Sequence, residues 1–358
     1  MQRARLRDLS ITTGTLPTGP WNAITDVAGV RVGVTTLIGD APAVVRTGVT
    51  AIWPRGPEIW TDPVFAGIHS FNGNGEMTGW AWIAEQGLLG APVCITNTHC
   101  VGAVRDAICA YAVREQVPMA WTLPVVAETH DGWLSEAQTF PVTAAHAMAA
   151  LDAATSGPVP EGNVGGGTGM ICHQFKGGTG TASRVVTVAG ADYTVGALVQ
   201  ANYGARELLR VDGVPVGREI GLDEVPSPRG APTDAGSIIV VLATDAPLLP
   251  IQCQRLARRA TTGLAWAGGV GFNSSGDIFL AFATGNHVRL GDAVSEVRML
   301  SPDGMSPLFQ AAAEATEEAI LNALTMAETM TGRQGRRAHA LPLDRLCEVM
   351  RRYRGGRL

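Results

Sequence analysis

The feature that most constrains this chain is an abrupt change of character at residue 236. Residues 212–235 carry Pro215, Pro226, Pro228 and Pro232, several glycines and mixed charges, with no apolar period. Such a stretch reads as a surface linker. Gly236 and Ser237 then open the run Ile238-Ile239-Val240-Val241-Leu242, which reads as a buried strand. A loop therefore delivers a Gly-Ser bond to the first residue of that strand. The glycine lets the backbone take conformations that a Cβ would obstruct. In that setting the serine hydroxyl can attack the preceding carbonyl, and hydrolysis of the resulting ester would leave Ser237 as a new N-terminus. Its α-amine, with an ordinary pKa of about 7.7–8.0, would suit a general base at neutral pH, placing nucleophile and base on one residue. The same pattern also describes an ordinary loop ending at a strand, and pattern alone does not separate the two.

The rest of the chain supplies short apolar runs bounded by Gly, Pro, Asn or Asp. Strands are predicted at residues 45–52, 92–96, 120–126, 170–175, 184–188, 194–200, 237–243 and 277–283. Apolar spacing predicts helices at 101–115, 143–154, 250–267 and 305–329. Strands on both sides of several helices imply an α/β or α+β fold with buried sheets. No period suggests a repeat architecture.

Composition excludes several functions. With 46% hydrophobic and 16% charged residues over 358 positions, the chain is globular and long enough to bury a large core without disulfides or metal. A net charge of -5 gives no reason to expect a nucleic-acid partner. No apolar stretch has the length of a membrane span, and the basic start lacks an apolar segment after it, so the expectation is a cytoplasmic protein without a signal peptide. The six cysteines form no C-x-x-C pair and are expected to be buried, reduced thiols. The glycine-dense stretch from Gly165 to Gly180 contains Lys176, the only lysine, but lacks the Gly-Lys-Ser/Thr order of a phosphate loop. No histidine pair has metal-ligand spacing, and no Gly-x-Ser-x-Gly elbow is present. No cofactor or metal is therefore expected. The arginines at 255, 258 and 259, and those at 336, 337, 351, 352, 354 and 357, are expected to form solvated or intersubunit faces.

A set of motifs, in order, narrows the reading further. These are Ile24-Thr25-Asp26-Val27-Ala28-Gly29-Val30-Arg31-Val32-Gly33, Arg46-Thr47-Gly48-Val49-Thr50-Ala51-Ile52, Asn72-Gly73-Asn74-Gly75-Glu76-Met77-Thr78-Gly79 and Ile95-Thr96-Asn97-Thr98-His99. Glu161-Gly162-Asn163-Val164-Gly165, Gly167-Thr168-Gly169-Met170 and Lys176-Gly177-Gly178-Thr179-Gly180 follow. Val199-Gln200-Ala201-Asn202-Tyr203-Gly204, Gly236-Ser237-Ile238-Ile239 and Ser275-Gly276-Asp277-Ile278-Phe279-Leu280-Ala281-Phe282 complete the set. In these the chain resembles the DmpA-type L-aminopeptidase/D-Ala-esterase/amidase family, which includes the β-peptidyl aminopeptidases, over nearly its whole length.

The resemblance implies a four-layer αββα sandwich, similar to the N-terminal-nucleophile hydrolases but with different strand connectivity. It implies one domain, cleaved by itself into an α chain of residues 1–236 and a β chain of residues 237–358. Ser237 then matches the nucleophile, Ser275 a second active-site serine, Asp277 the acidic residue after it, and Asn202 the oxyanion-hole asparagine. Some relatives have a glutamate where Asp277 stands and a tyrosine where Trp133 stands. An indole N–H is a donor only, so Trp133 is expected to shape the pocket. An aminopeptidase must also hold a substrate ammonium, for which Glu128 and Asp131 are the candidates, with structural capping as the alternative for either. Asn72, Asn74 and Glu76 are expected to serve a backbone turn, with lining of the same pocket as the alternative, and Gly165 to Thr168 to approach the substrate or the cleaved junction. The implied activity is release of N-terminal residues from small peptides, amides or esters, in a tetramer of α/β heterodimers. The alternatives are acyl transfer of the ornithine acetyltransferase type, whose enzymes have threonine at the cleavage point, and a non-catalytic relative.

Overall fold

Two β-sheets lie face to face in the computed structural model, which describes residues 1–118, 121–228 and 236–355. The smaller sheet contains β1 (Arg31–Gly39), β2 (Val45–Trp53), β5 (Val93–Asn97) and β6 (Val125–Thr129), in the order β1-β2-β5-β6. The larger contains β3 (Val64–Gly73), β4 (Leu88–Leu89), β9 (Gly178–Val188), β10 (Ala191–Asn202), β11 (Ser237–Thr244) and β12 (Gly276–Ala283), in the order β4-β3-β12-β11-β10-β9. Helices α2 (Val101–Arg114) and α3 (Ala144–Asp152) cover the outer face of the smaller sheet, while α5 (Pro250–Ala257), α6 (Ala260–Trp266) and α7 (Met305–Met326) form the outer layer on the larger one. The result is the αββα sandwich.

The alternation of β11 shows why its sequence is apolar throughout. Ile238, Val240 and Leu242 join the core beneath α5 to α7, whereas Ile239, Val241 and Ala243 join the core between the sheets. A strand buried on both faces has no position for a polar side chain. Close approach of helix and sheet makes its own demand at Gly180, where a Cβ would lie 2.0 Å from the carbonyl oxygen of Ala319 on α7.

Several expectations are corrected. The strand predicted at 170–175 is a hairpin of β7 (Ile171–Cys172) and β8 (Phe175–Lys176), turning at His173 and Gln174 with φ of 47° and 60°. The helix predicted at 250–267 breaks into α5 and α6, where Arg259 N–H bonds to Leu256 and tightens the turn. The strand predicted from residue 120 begins only at Val125, after Pro124; Ala120 lies outside the described residues. Strands β1, β3 and β4 and helices α1 (Trp80–Gln86), α4 (Val216–Glu219) and α8 (Leu343–Tyr353) were not foreseen. Gly165 to Thr168 form a buried turn of 3-10 helix, where a Cβ on Gly166 would lie 2.1 Å from Gln200 Oε1 and 2.7 Å from the Ile95 carbonyl. They fill the space between the sheets.

The surface-linker reading of residues 212–235 fails for the part described. Val214, Val216, Ile220 and Val225 are buried in the core of the larger sheet. The buried Arg206 guanidinium donates to the carbonyls of Ile220 (3.2 Å), Gly221 (3.2 Å) and Val225 (2.9 Å). It also donates to those of His173 (3.1 Å) and Gln174 (2.8 Å) and stacks 3.4 Å from the centre of the Phe175 ring. At the surface, Arg345 pairs with Glu224, Arg352 and Tyr353 with Glu219, and Arg354 with Asp212. Arg352 and Arg354, expected on a solvated or intersubunit face, thus fasten the C-terminal helix to this segment. Arg336 stacks on Trp133 at 4.0 Å, and Arg255 and Arg259 lie 5.2 and 4.1 Å from the Phe309 ring; Arg357 lies outside the described residues. All six cysteines are free, and all but the half-buried Cys109 are buried. Among the described residues, no helix is long and apolar enough to cross a membrane.

Candidate active site

Strand register assembles the site. In the larger sheet Ser237, the first residue of β11, stands opposite Asn202, the last residue of β10, and opposite Gly276, the first residue of β12. Three strand ends thus meet at the bond between Gly236 and Ser237. Ser237 is buried, and its hydroxyl donates to the Gly236 carbonyl at 2.7 Å. The Gly276 N–H donates both to Ser237 Oγ (3.1 Å) and to the Gly236 carbonyl (3.2 Å). This backbone donor, unforeseen in the sequence, polarises the carbonyl that would be attacked. Residue 236 has no room for a side chain: a Cβ there would sit 2.7 Å from the Asn202 carbonyl and 2.8 Å from Tyr203 Cα.

Ser275 precedes Gly276 and donates its hydroxyl to Asp277 Oδ1 at 2.6 Å. Burial pushes the Asp277 carboxyl above the ordinary aspartate value, opposed by hydrogen bonds from Ser275, Asn72 and the Ile238 N–H. The Asn72 side chain also donates to the Phe272 carbonyl (2.9 Å), and that of Asn74 to the Ser274 carbonyl (2.7 Å). The Asn-Gly-Asn turn thus buttresses the loop that carries Ser275. Asn202 is fixed at both ends of its amide: Oδ1 accepts from Ile171 N–H (2.9 Å) and Nδ2 donates to the His130 carbonyl (3.1 Å). An amide nitrogen has a second N–H, and among the described residues no acceptor takes it.

Glu128, the penultimate residue of β6, comes close to this junction. A Cβ on Gly75 would lie 3.2 Å from Gly276 Cα and 3.3 Å from Glu128 Oε1. The carboxylate accepts from Glu76 N–H at 3.0 Å and from the Thr98 hydroxyl. Burial pushes its pKa up, while those hydrogen bonds hold it down. Asp131 is different. It is fully enclosed, its carbonyl accepts from Leu134 and Ser135 (both 3.0 Å), and burial pushes its carboxyl up to about 7. Thr47 and Asn97 are close enough to lower that value, yet neither carboxylate oxygen makes a hydrogen bond of good geometry. Trp133 is half-buried and packs on the cluster of Leu134, Ile171, Met330 and Ala338, which includes the residue whose N–H orients Asn202. Of the residues singled out in the sequence, Ser237, Ser275, Asp277 and Asn202 come together, Glu128 borders them, and Asp131 and Trp133 lie behind.

Lys176 is wholly buried in β8 and donates to the Gly177 carbonyl at 2.7 Å, with burial pulling its pKa down to about 7. Among the described residues no cluster of His, Cys, Asp and Glu is placed to hold a metal ion.

A serine heading an inner strand of an αββα sandwich, backed by a Ser and Asp pair, defines a hydrolase of the N-terminal-nucleophile type. The particular family is settled by the match of residues 22–338 to the model of peptidase family S58, and the chain belongs to it. It is 50% identical to the β-peptidyl aminopeptidase BapA of Sphingosinicella microcystinivorans, with 98% of this chain and 92% of that protein covered. Among solved structures it is similar to a β-aminopeptidase of Burkholderia sp., at 53% identity and a TM-score of 0.91 over 98% of this chain and 99% of that one. It is also similar to the L-aminopeptidase D-Ala-esterase/amidase of Ochrobactrum anthropi, described as a prototype for the serine aminopeptidases, at 46% identity and a TM-score of 0.90 over 98% of each chain. The chain is thus a serine hydrolase of the aminopeptidase and amidase class, acting on peptide and amide bonds. None of these relatives is named as an acyltransferase.

Proposed function

We propose that the chain cleaves itself between Gly236 and Ser237 and then works as an aminopeptidase with Ser237 as nucleophile. The observation that carries this is the bifurcated Gly276 N–H, shared between the Ser237 hydroxyl and the Gly236 carbonyl. In the first step Ser237 Oγ bonds to the Gly236 carbonyl carbon, the C–N bond breaks, and the amine takes up the proton that the hydroxyl loses. Water then hydrolyses the ester, leaving a carboxylate on Gly236 and a free amine on Ser237.

In turnover that amine accepts the hydroxyl proton as Ser237 attacks the substrate carbonyl. Asn202 Nδ2 donates to the developing oxyanion, a contribution of about 3–4 kcal/mol at comparable sites. Ser275 and Asp277 stabilise positive charge on the amine, which then gives its proton to the leaving group as the substrate bond to it breaks, and water hydrolyses the acyl-enzyme to free Ser237. Glu128 holds the substrate ammonium. Asp131, fully enclosed, and Trp133 act as walls behind Asn202. Because relatives named β-aminopeptidases match the chain along its length, we include N-terminal β-amino acid residues among the substrates. The assembly is a tetramer of α/β heterodimers, which would cover exposed apolar side chains such as Trp121 and Val294.

Intact mass of the purified protein under denaturing conditions tests the first step. Two masses matching residues 1–236 and 237–358 are expected; one full-length mass that persists on incubation would sink it. Hydrolysis rates on β-alanine and L-alanine anilides test the substrate class, and light scattering tests the assembly.

A further inference from the structure

Outside the active site, a cavity of about 580 Å³ opens between residues 208–213, the end of α6 and the middle of α7. Small-molecule sites usually measure roughly 300–1,000 Å³, so this volume suits an organic ligand rather than a single ion or water.

Two charged side chains of its lining, Arg210 and Glu317, make no ion pair among the described residues. The other two carboxylates there are taken, Glu314 by Arg184 at 3.0 Å and Asp212 by Arg354. Glu317 is only 4% exposed. It accepts from the backbone N–H of Asp212. That residue and Gly213 hold left-handed φ of 48° and 76° in a turn closed by Val211 and Val214. Burial first, then Asp212, push the Glu317 carboxyl up to about 7, opposed by Arg184. Arg184 is already shared between Glu314 and Glu318. A buried carboxylate is costly unless a cation or donors meet it, and here its open side is the cavity. Arg210 is exposed. Trp266 and Val270, 42% and 55% exposed, give the same cavity apolar surface. One unpaired charge of each sign beside apolar surface complements a zwitterion with an apolar side chain. Its ammonium would pair with Glu317 and its carboxylate with the Arg210 guanidinium.

We infer that this cavity is a second, non-catalytic binding site for a zwitterionic amino acid or short peptide, the class of molecule an aminopeptidase releases. The inference goes beyond the self-cleavage proposed above and does not depend on it. Val270 also lines the small space beside Gly236, Ser275 and Asp277, so a ligand held here touches the loop that leads to Ser275.

Calorimetric titration of the full Ser237→Ala chain, which cannot form an acyl-enzyme, tests the site. The probes are leucine, leucyl-glycyl-glycine, and two half-ligands, isoamylamine and isocaproate. Leucine should bind at one site per chain, and each half-ligand roughly tenfold more weakly or worse. Adding Arg210→Ala or Glu317→Gln should weaken leucine by about the same factor, while Glu128→Gln, at the active site, should leave its binding unchanged. Arg210 is exposed, so its variant reads the site even where the buried Glu317→Gln fails to fold. Tighter binding of the tripeptide would assign the site to shortened peptides; equal or tighter binding of leucine would assign it to the released residue. Absence of binding by both zwitterions overturns the inference, as does leucine binding undiminished by Arg210→Ala. Binding lost only with Glu128→Gln also overturns it, because the ligand would then sit at the active site. Spontaneous splitting of the Ser237→Ala chain would contradict self-cleavage by Ser237 and leave this titration readable, so the two failures are told apart.

Discussion

On the C-terminal side of the bond between Gly236 and Ser237, β11 is paired along its length with β10 and β12 and buried on both faces. On the N-terminal side, residues 212–228 cross the outside of the same sheet, pinned by the carbonyl contacts of Arg206, by a 3.1 Å bond from Gln174 to Ser227, and by ion pairs to α8. One side is held by a sheet and by core on both faces, the other by a few apolar side chains on one face together with separate polar fastenings. The difference gives cleavage a direction. A nucleophile that starts a doubly buried strand keeps its position when its N-terminal bond is broken.

Removing the nucleophile should have the largest effect. Ser237→Ala should remain a single chain without measurable amidase activity, as mass spectrometry and anilide hydrolysis would reveal; spontaneous splitting of that variant contradicts the assignment. Next in size, Asn202→Ala should lower kcat by about 10²–10³ with KM little changed, because the lost donor acts on the developing oxyanion. Equal kcat in the two proteins would move the oxyanion hole to backbone donors such as the Gly276 N–H. Asp277→Asn should act through the Ser237 amine. With the carboxylate gone, the ammonium form loses support, so the acidic limb of kcat/KM moves to lower pH while the maximum falls. A profile displaced to higher pH would contradict this role.

The asymmetry also explains what could be read from the chain. β11 was legible because burial on both faces leaves an unbroken apolar run, whereas β1 was missed because it is half exposed along Thr35 to Gly39 and carries two threonines there. Helix α8 buries Leu343, Leu346, Cys347, Val349 and Met350 at helical spacing, yet the arginines between and after them give the segment the composition of a solvated tail. The segment before Gly236 reads as linker because its fastenings come from elsewhere: Arg206 precedes it and α8 lies more than a hundred residues beyond. Ser275, Asp277 and Asn202 were named from family resemblance, since spacing says nothing about strand ends meeting across a sheet. The Gly276 N–H carries no side-chain signal.

A smaller effect separates enclosed from exposed carboxylates. Asp131, with a carboxyl pushed up to about 7 by burial, binds its proton more tightly folded than unfolded. Its favourable contribution is complete below the ordinary aspartate value near 3.8 and is lost as pH rises through about 7. Between pH 5 and pH 8 the unsubstituted protein should therefore lose stability relative to Asp131→Asn, by at most roughly 3 kcal/mol. Parallel melting curves at the two pH values would detect it. A gap that does not change with pH would mean that Asp131 stays ionised in the fold.

The smallest effect should come from the surface fastenings. Glu219 and Glu224 pair with Arg352 and Arg345 on α8 in the open, where an ion pair contributes little and is screened by salt. Glu219→Gln/Glu224→Gln should mature and turn over like the unsubstituted protein, because Arg206 still grips the carbonyls from inside. The change should be local: faster amide hydrogen exchange in residues 216–225 with none in β11, reproduced in the unsubstituted protein by raising the salt concentration. If the double variant instead stops maturing, these ion pairs position Gly236 for attack. The N-terminal side of the bond would then be as firmly set as the strand it precedes.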